Sequence, residues 1–478
     1  MVALTRRRLL AAMGGTAFAS LAGARVSLSA DGKVLRIRTD LDMQSLDPGW
    51  MIGGLAETTL QHACLGTLGV YESGESWEWR PSAFVETLEQ VDGRRIDFRL
   101  RKGIQWSGSF GELTAEDVKY SIDRIADPKN QAAWAAKWAA LDHVEVADSH
   151  SGTIVLKEPF APIWFTTICH ATASFVCKKA VEAKGGRFTT EFPATCGPYA
   201  IAAWVPKQRI ELALNPQWSG PRPAFERIDI LPIEDEKAAE LAYDANELDL
   251  TVVSIDSLPR IRQAMPERTA LAMRPGTFWT WVGMNTEHPK LQDIRVRQAI
   301  QRAIDVQGAV DAAYFGVAER ATGIVAPSLI GHRKIEPMQR DVEAAKALLA
   351  EAGVSGLTLT IDVGLETEFK TIGQIVQASL AEAGIDVVIN ERDSGTFWTL
   401  GDRAANPDWK NVQLILNRFS MTPDPSYATE WFTPEQIGIW NWEGFNSAEF
   451  AELHKAAKAE KDTAKRAQMY EKMQTLME

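Results

Sequence analysis

Aromatic side chains are the main chemical feature of the sequence, because tryptophan outnumbers tyrosine by 16 to 7. In Phe278-Trp279-Thr280-Trp281, the alternation of a strand places both tryptophans on one face. Flat rings of this kind stack on sugar rings, on peptide side chains or on cations. We therefore predict ligand contacts from five aromatic residues: Trp279, Trp281, Trp398, Phe419 and Trp440.

Three polar residues complete the predicted ligand site. Arg418 directly precedes Phe419, and its planar guanidinium can hold a carboxylate or a phosphate with two parallel hydrogen bonds. Asn441 lies between Trp440 and Trp442. Asp42 precedes a Pro/Gly turn, and its carboxylate can accept a hydrogen bond from an amine or a hydroxyl of the ligand.

Motifs for catalysis and for cofactor binding are missing from the sequence. It contains no Gly-x-Ser-x-Gly elbow, no His-Glu-x-x-His zinc motif, no P-loop and no Gly-x-Gly-x-x-Gly turn. The histidines form no pair four residues apart, so no metal site is predicted. Cys196 lies between strand-like segments and not at a helix start, where a thiolate would be stabilised. We predict no enzyme activity, no metal and no cofactor. A hydrolase stays an alternative, because two catalytic carboxylates can be distant in sequence and meet only in the folded structure.

Composition narrows the class of protein further. The 478 residues are 45% apolar and 24% charged, which is typical of soluble globular proteins. The net charge of −12 argues against a nucleic-acid partner, which would require a basic face. The length suggests about three domains.

The amino terminus has the pattern of an export signal. Thr5-Arg6-Arg7-Arg8-Leu9-Leu10 precedes an uncharged run to Ala24 that is rich in small residues. Paired arginines before two leucines are typical of twin-arginine export. We predict a signal peptide over residues 1–24 and a soluble periplasmic protein. Export permits disulfides, and a Cys169–Cys177 bridge would close a short loop, but the state of Cys64, Cys169, Cys177 and Cys196 stays open.

Apolar periodicity predicts the elements that position these residues. Period-two patterns predict strands over 33–39, 96–100, 210–214, 357–363 and 385–389. Thr114 to Asp117 form a predicted capping box, and Asp293 and Asp341 are predicted caps of later helices. Gly353 and Gly384 are predicted to end two helices. Helices alternating with strands indicate an α/β second half.

Several phrases, in one order along the chain, resemble the periplasmic solute-binding proteins of ABC importers, in particular the dipeptide/oligopeptide-binding family. They are Ser45-Leu46-Asp47-Pro48, Trp79-Arg80-Pro81-Ser82-Ala83, Phe98-Arg99-Leu100-Arg101-Lys102-Gly103, Leu113-Thr114-Ala115-Glu116-Asp117-Val118, Cys196-Gly197-Pro198-Tyr199, Asn215-Pro216, Asn285, Asp293-Ile294-Arg295-Val296-Arg297-Gln298-Ala299 and Ala303-Ile304-Asp305. The similarity extends from about residue 33 to the end, and the ordered combination is far more specific than any single phrase.

The resemblance implies a two-lobed α/β periplasmic-binding-protein fold that closes on a solute between its lobes, with an extra domain inserted in the first lobe. It places the first lobe at about 31–66 and 195–277, the inserted domain at 67–194 and the second lobe at 278–478. It also implies a monomer that delivers its solute to an ABC permease of the inner membrane and catalyses no reaction.

Two departures from the family pattern affect these expectations. The family continues past the last helix with a strand that returns to the first lobe, and this sequence stops in a helical pattern, so we expect a truncated chain. Peptide binders of the family hold the peptide ammonium with an aspartate, and the matching position here is Met421. A buried ammonium without a counter-charge is costly, which puts ordinary peptide recognition in doubt.

Three functional hypotheses follow from the sequence. The first is import of a peptide or an amino-acid-derived solute, with Arg418 holding a carboxylate. The second is import of an oligosaccharide or a sugar conjugate, which the tryptophans and Met421 favour. The third is a secreted hydrolase on the same scaffold.

Overall fold

The computed structural model describes residues 2–5, 33–51, 53–71 and 77–478. The chain divides into two units, Met1–Arg274 and Pro275–Glu478. Residue 1 and residues 6–24 of the predicted signal peptide lie outside the described residues, and Val2–Thr5 form a strand. No helix in the described ranges is long and apolar enough to cross a membrane.

The first unit is rich in strands. Its strands are β1 (Val2–Thr5), β2 (Val34–Thr39), β3 (Gly69–Tyr71), β4 (Trp79–Pro81), β5 (Val85–Gln90), β6 (Arg95–Leu100), β7 (Gln105–Trp106), β8 (Gly111–Glu112), β9 (Leu141–Asp148), β10 (Ser151–Leu156), β11 (Tyr199–Val205), β12 (Arg209–Leu214), β13 (Arg227–Pro232), β14 (Leu250–Val253) and β15 (Ala270–Met273). Its helices are α1 (Leu55–Cys64), α2 (Ala115–Ala126), α3 (Lys178–Ala183), α4 (Glu236–Asp244) and α5 (Leu258–Gln263).

Two larger sheets organise this unit. The first has the strand order β11-β12-β13-β2-β14-β1-β15, and β2 runs parallel to both β13 and β14. The second is the antiparallel sheet β5-β6-β10-β9. Strands β2 and β13 are neighbours in the first sheet but lie far apart in the sequence. The segment that forms the second sheet is located between them in the sequence. The predicted domain boundaries stay a prediction.

Asp47 in Ser45-Leu46-Asp47-Pro48 joins two parts of the first unit. Its carboxylate is fully buried and accepts hydrogen bonds from both terminal nitrogens of Arg124 in α2, at 2.7 and 2.8 Å. A bidentate pair of this kind is shorter and stronger than a neutral hydrogen bond. The phrase thus has a structural role in this chain.

The second unit consists of one sheet and surrounding helices. Its strands are β16 (Phe278–Met284), β17 (Leu357–Gly364), β18 (Ile385–Arg392) and β19 (Leu414–Ser420). Its helices are α6 (Ile294–Ala303), α7 (Val306–Tyr314), α8 (Val342–Glu351), α9 (Thr367–Glu382), α10 (Ser394–Phe397), α11 (Ser426–Glu430), α12 (Ala448–Ala459) and α13 (Thr463–Thr475).

The sheet of the second unit is mixed, with the order β16-β19-β17-β18. Strands β16 and β19 are antiparallel, whereas β17 runs parallel to both β18 and β19. Apolar residues of α6, α8 and α9 form one buried core with β17 and β18. A sheet flanked by helices is the α/β arrangement that the sequence predicts, and the two-lobed fold class is confirmed by the structural comparisons below.

Local signals of the sequence agree with the structure at the predicted element ends. Thr114 and Asp117 form the capping box of α2, and Asp293 and Asp341 cap α6 and α8. Gly353 and Gly384 follow α8 and α9 with φ of +68° and +82°. Glycine reaches this left-handed region without strain, so it can end a helix there.

Candidate functional site

Strands β16 and β19 carry the centre of the candidate site. Their register pairs Trp279 with Phe419 and Trp281 with Asn417, so these four side chains share one face of the sheet. The indole rings of Trp279 and Trp281 are stacked, with centroids 5.2 Å apart and planes 13° apart. The prediction that both tryptophans lie on one face is confirmed.

Loops after β18 and β19 extend these rings into a larger group. Phe419 stacks on Trp398 at 5.5 Å and on Trp431 at 5.0 Å between centroids. Trp431 meets Trp440 edge to face at 5.0 Å. We call this group the aromatic cluster: Trp279, Trp281, Trp398, Phe419, Trp431, Trp440 and Trp442.

Exposure differs within the aromatic cluster. Trp398 is 40% exposed and Trp440 is 37% exposed, whereas Trp279 and Trp442 are buried. Indole rings at the exposed edge are free to stack on a planar group, while the buried rings hold that edge in place. The structure thus brings together Trp279, Trp281, Trp398, Phe419 and Trp440, five of the eight residues that the sequence proposed.

Arg418 lies on the opposite face of β19 from the aromatic cluster. It pairs with Thr280, and its guanidinium donates to Glu368 at the start of α9, at 2.9 Å. The same group lies 5.0 Å from the ring centre of Phe369. Neighbouring residues of a strand point to opposite faces, so Arg418 and Phe419 do not present their side chains together.

Asn441 and Asp42 each have partners within the chain. The buried amide of Asn441 donates to the carbonyls of Thr433 and Phe445 and accepts from the Phe445 amide. In the first unit, the carboxylate of Asp42 accepts from the Trp204 indole at 3.1 Å and from the Lys207 amide at 2.7 Å. These bonds give both residues a structural role, and ligand contact by either stays a prediction.

Met421 and Asp424 follow β19. Met421 is buried, as expected of an apolar residue in place of a carboxylate. Asp424 is 1% exposed and accepts from Arg466 of α13 at 2.9 and 3.1 Å. The carboxylate in this loop is therefore committed to an internal ion pair.

Two polar residues of the cluster face were missed by sequence reasoning. Glu443 is buried, accepts a hydrogen bond from the Trp281 indole at 2.9 Å, and has its pKa raised by burial. Asn417 is 2% exposed, and its side-chain oxygen has no hydrogen-bond partner among the described residues. Strand alternation could have identified Asn417, because it lies two residues before Phe419.

Gly283 explains how Glu443 fits beside the sheet. A side chain at this position of β16 would place its Cβ 2.2 Å from the Glu443 carboxylate. Glycine in the interior of a strand often marks such a close approach. Such a glycine in a strand pattern could have indicated a close approach at this position, and the structure identifies the approaching group as Glu443.

The cysteines carry no nucleophile. All four are free and buried, so the structure contains no bridge between Cys169 and Cys177. Burial raises the pKa of Cys169 to about 12 and that of Cys196 well above its usual value. A thiol in such surroundings stays protonated and inert. In the described ranges, no group of three or more metal-ligating side chains occurs.

Comparison with known proteins identifies the family. The family described as Bacterial extracellular solute-binding proteins, family 5 Middle, matches residues 75–438. The periplasmic oligopeptide-binding protein OppA of Salmonella typhimurium is 29% identical over 386 residues, which are 74% of this chain and 68% of OppA. The glutathione-binding protein GsiB of Salmonella choleraesuis is 26% identical over 308 residues, which are 64% of this chain and 59% of GsiB.

Solved structures show the same fold. HbpA2 from Haemophilus parasuis aligns over 93% of this chain and 92% of its own with a TM-score of 0.81, at 22% identity. DppA from Helicobacter pylori, in complex with the peptide STSA, aligns over 93% and 90% with a TM-score of 0.69, at 21% identity. The chain belongs to the bacterial extracellular solute-binding proteins of family 5.

Proposed function

We propose that this chain is the extracytoplasmic solute-binding component of an ABC importer, and that it captures a peptide or an amino-acid-derived solute. The aromatic cluster carries the proposal, because Trp398 and Trp440 offer exposed indole faces beside buried polar groups. The names of OppA and GsiB, an oligopeptide binder and a glutathione binder, support this class of solute. The proposed partner is a permease in the inner membrane, and the chain acts as a monomer without catalysing a reaction.

Arg418 is proposed to hold a carboxylate of the solute. Its guanidinium is one-third exposed and now pairs with Glu368, so a ligand carboxylate would have to replace or share that partner. Arg418→Ala should weaken binding of peptides with a free carboxyl end and leave amidated peptides unaffected. Lys370→Ala, on the same helix as Glu368, is the control. Equal calorimetric affinity of wild type and Arg418→Ala for the free peptide would contradict this role.

A sugar conjugate is the second candidate solute. The exposed indole faces and the buried Met421, in place of a carboxylate, favour a neutral ring-bearing ligand. One structural neighbour, MoaA, is described in complex with mannopinic acid. The relatives with peptide-binding names make this the weaker candidate.

A thermal-shift screen tests these candidates on the full chain. The panel contains the tripeptides Ala-Phe-Ala, Ala-Leu-Ala, Ala-Lys-Ala and Ala-Glu-Ala, glutathione, and a series of maltose and chitin oligomers. A ligand that binds the native state raises the melting temperature, and the shift grows with the ratio of the ligand concentration to its Kd. Shifts with peptides support the proposal, and shifts with oligosaccharides alone would replace it with the second candidate.

Recovery of the bound compound distinguishes a binder from a hydrolase. The chain is incubated with the compound that gives the largest shift, and the mixture is analysed by mass spectrometry. We expect the compound to be recovered intact. Accumulation of cleavage products at a rate proportional to protein concentration would contradict the proposal and support the third hypothesis. Light scattering of the same sample checks the monomer.

A further inference from the structure

Asn417 is a buried amide without a hydrogen-bond partner for its oxygen. It lies in the centre of β19, is 2% exposed, and its Oδ1 has no donor within the described ranges. Leaving such an atom unpaired costs about 1–3 kcal/mol. Unpaired polar groups in a folded protein are uncommon and call for a cause, such as a bound water or a ligand.

The other buried asparagines of the second unit are different. Asn285 donates to the Val412 carbonyl at 2.9 Å and accepts from the Glu287 amide at 3.1 Å. Asn441 makes three hydrogen bonds to the backbone of its own loop. The fold provides hydrogen-bond partners for the side-chain amides of Asn285 and Asn441 but none for the oxygen of Asn417. Hydrogen bonding within the folded chain therefore does not explain an asparagine at position 417.

Unpaired donors surround the same face. Trp279, the diagonal neighbour of Asn417 on β16, has a buried indole N–H without a partner. The indole N–H of Trp431, which stacks on Phe419, is also buried and unpartnered. One unpaired acceptor and two unpaired donors thus belong to a single group of rings, and together they match a ligand group that both donates and accepts.

The charged groups of the described residues nearest to this face already have partners within the chain. Arg418 points to the opposite face of the sheet, and the Glu443 carboxyl, which lies against the rings, accepts a hydrogen bond from the Trp281 indole. A charged ligand group here would lose its hydration without a counter-charge. A planar amide has the required donor and acceptor, carries no charge and stacks on indole rings. The oxygen of Asn417 can accept a hydrogen bond from the N–H of such an amide, and the Trp279 indole can donate one to its carbonyl oxygen.

We propose that Asn417 is a specificity-determining residue that, with the Trp279 indole, hydrogen-bonds an uncharged amide of the solute within the aromatic cluster. The inference rests on the proposed function and names the group that this site recognises. The Asn417 oxygen is covered in this structure, so the ligand reaches it by displacing a neighbouring ring, since Trp279, Trp281 and Phe419 lie beside it on the face.

Calorimetry with methylated peptides tests the inference. The probes are Ala-Phe-Ala and two analogues, each methylated on one of the two peptide nitrogens. In wild type, we expect one analogue to bind about ten-fold or more weakly, because its nitrogen can no longer donate to Asn417. Asn417→Leu should bind the parent peptide with a similar loss and should not distinguish the parent from that analogue.

Stability of the unliganded chain provides a second measurement. Asn417→Leu removes an unpaired polar group, so its urea midpoint should equal or exceed that of wild type. The matched control Asn285→Leu breaks satisfied hydrogen bonds and should have a clearly lower midpoint. If the urea midpoint falls as much in Asn417→Leu as in Asn285→Leu, the Asn417 oxygen already has a partner in the unliganded protein, such as a bound water. That result would overturn the inference.

The outcomes separate the inference from the proposed function. If wild type binds the peptides and Asn417→Leu binds them equally well, the inference is wrong and the proposed function stands. If wild type binds none of the peptide panel, the proposed function is wrong and the amide assignment fails with it.

Discussion

Tryptophans of similar sequence context have different roles in this molecule. Trp440 and Trp442 flank Asn441, yet Trp440 is 37% exposed and Trp442 is 5% exposed. The two rings are nearly parallel with centroids 6.3 Å apart. At the residue scale, exposure thus differs between neighbours: the exposed ring of Trp440 is proposed to contact the ligand, and the buried ring of Trp442 supports it.

Alanine substitutions should separate these two roles. Trp440→Ala should weaken binding of the tightest compound of the screen by about three- to ten-fold, the value of one aromatic contact, with little change in stability. Trp442→Ala should lower the free energy of unfolding by about 3–5 kcal/mol, because a buried indole leaves a cavity. Calorimetry and urea unfolding measure the two effects. A large loss of stability in Trp440→Ala would contradict its assignment to the ligand.

Glu443 should make stability depend on pH. Burial raises the pKa of its carboxyl above the ordinary value of 4.5, so the native state keeps this proton to a higher pH than the unfolded chain. The native state then binds more protons in that window, and the free energy of unfolding falls as the pH rises through it. The glutamine in Glu443→Gln cannot ionise, so the free energy of unfolding of this variant does not fall for this reason.

The measurement is urea unfolding of wild type and Glu443→Gln at about pH 4.5 and about pH 7. Relative to wild type, the free energy of unfolding of Glu443→Gln should be higher at the higher pH than at the lower pH. The exposed Glu435→Gln is the control, and its difference from wild type should not change with pH. Equal differences for Glu443→Gln at both values would show that folding does not raise the pKa of Glu443.

At the scale of elements, a buried ion pair joins the end of β19 to the C-terminal helices. Arg466 of α13 donates to Asp424, to the Tyr470 hydroxyl at 3.0 Å and to the Ala457 carbonyl of α12 at 2.9 Å. Both charged side chains are at least nine-tenths buried. The loop that follows the aromatic face is therefore held by α12 and α13.

Removing one partner of this pair should be strongly destabilising. Asp424→Ala leaves the Arg466 charge buried without its partner, and we expect a loss of about 3–5 kcal/mol in the free energy of unfolding. Lys472→Ala is the control, because its pair with Glu449 between α13 and α12 is exposed and contributes at most about 1 kcal/mol. Losses of equal size in urea unfolding would contradict the assignment of Asp424 to stability.

At the scale of the whole molecule, the predicted export signal is proposed to decide where the chain acts. The two arginines Arg6 and Arg7 and the uncharged run to Ala24 predict transport across the membrane in the folded state. A chain whose four cysteines are free and buried needs no oxidising compartment to fold. Folding before export is therefore compatible with its core.

Replacement of Arg6 and Arg7 by lysine should keep the chain in the cytoplasm with its amino terminus uncleaved. The wild-type chain should be recovered from the periplasm and begin after Ala24. Cell fractionation and amino-terminal sequencing check both statements. Normal export of the double-lysine variant would exclude the twin-arginine route and leave another signal to be found.

The sequence by itself determined where helices begin and end, the family of the chain, and which aromatic side chains share a strand face. Capping residues such as Asp293 and helix-ending glycines such as Gly353 interact only with the first or last turn of their helix. A short stretch of sequence is therefore enough to predict them. The ordered phrases gave the family, and strand alternation placed Trp279 and Trp281 on one face. These features depend on neighbours that are close along the chain.

Only the tertiary structure decided which of the proposed residues meet. The pairing of β16 with β19 placed Asn417 among the rings and turned Arg418 away from them. Asp42 received a partner from Trp204 of β11, and Glu443 came to Trp281 from far along the chain. The partners of Asn441 lie within its own loop, whose shape no local pattern predicts. Hydrogen bonds and burial between distant segments arise from packing, and packing is a property of the whole fold.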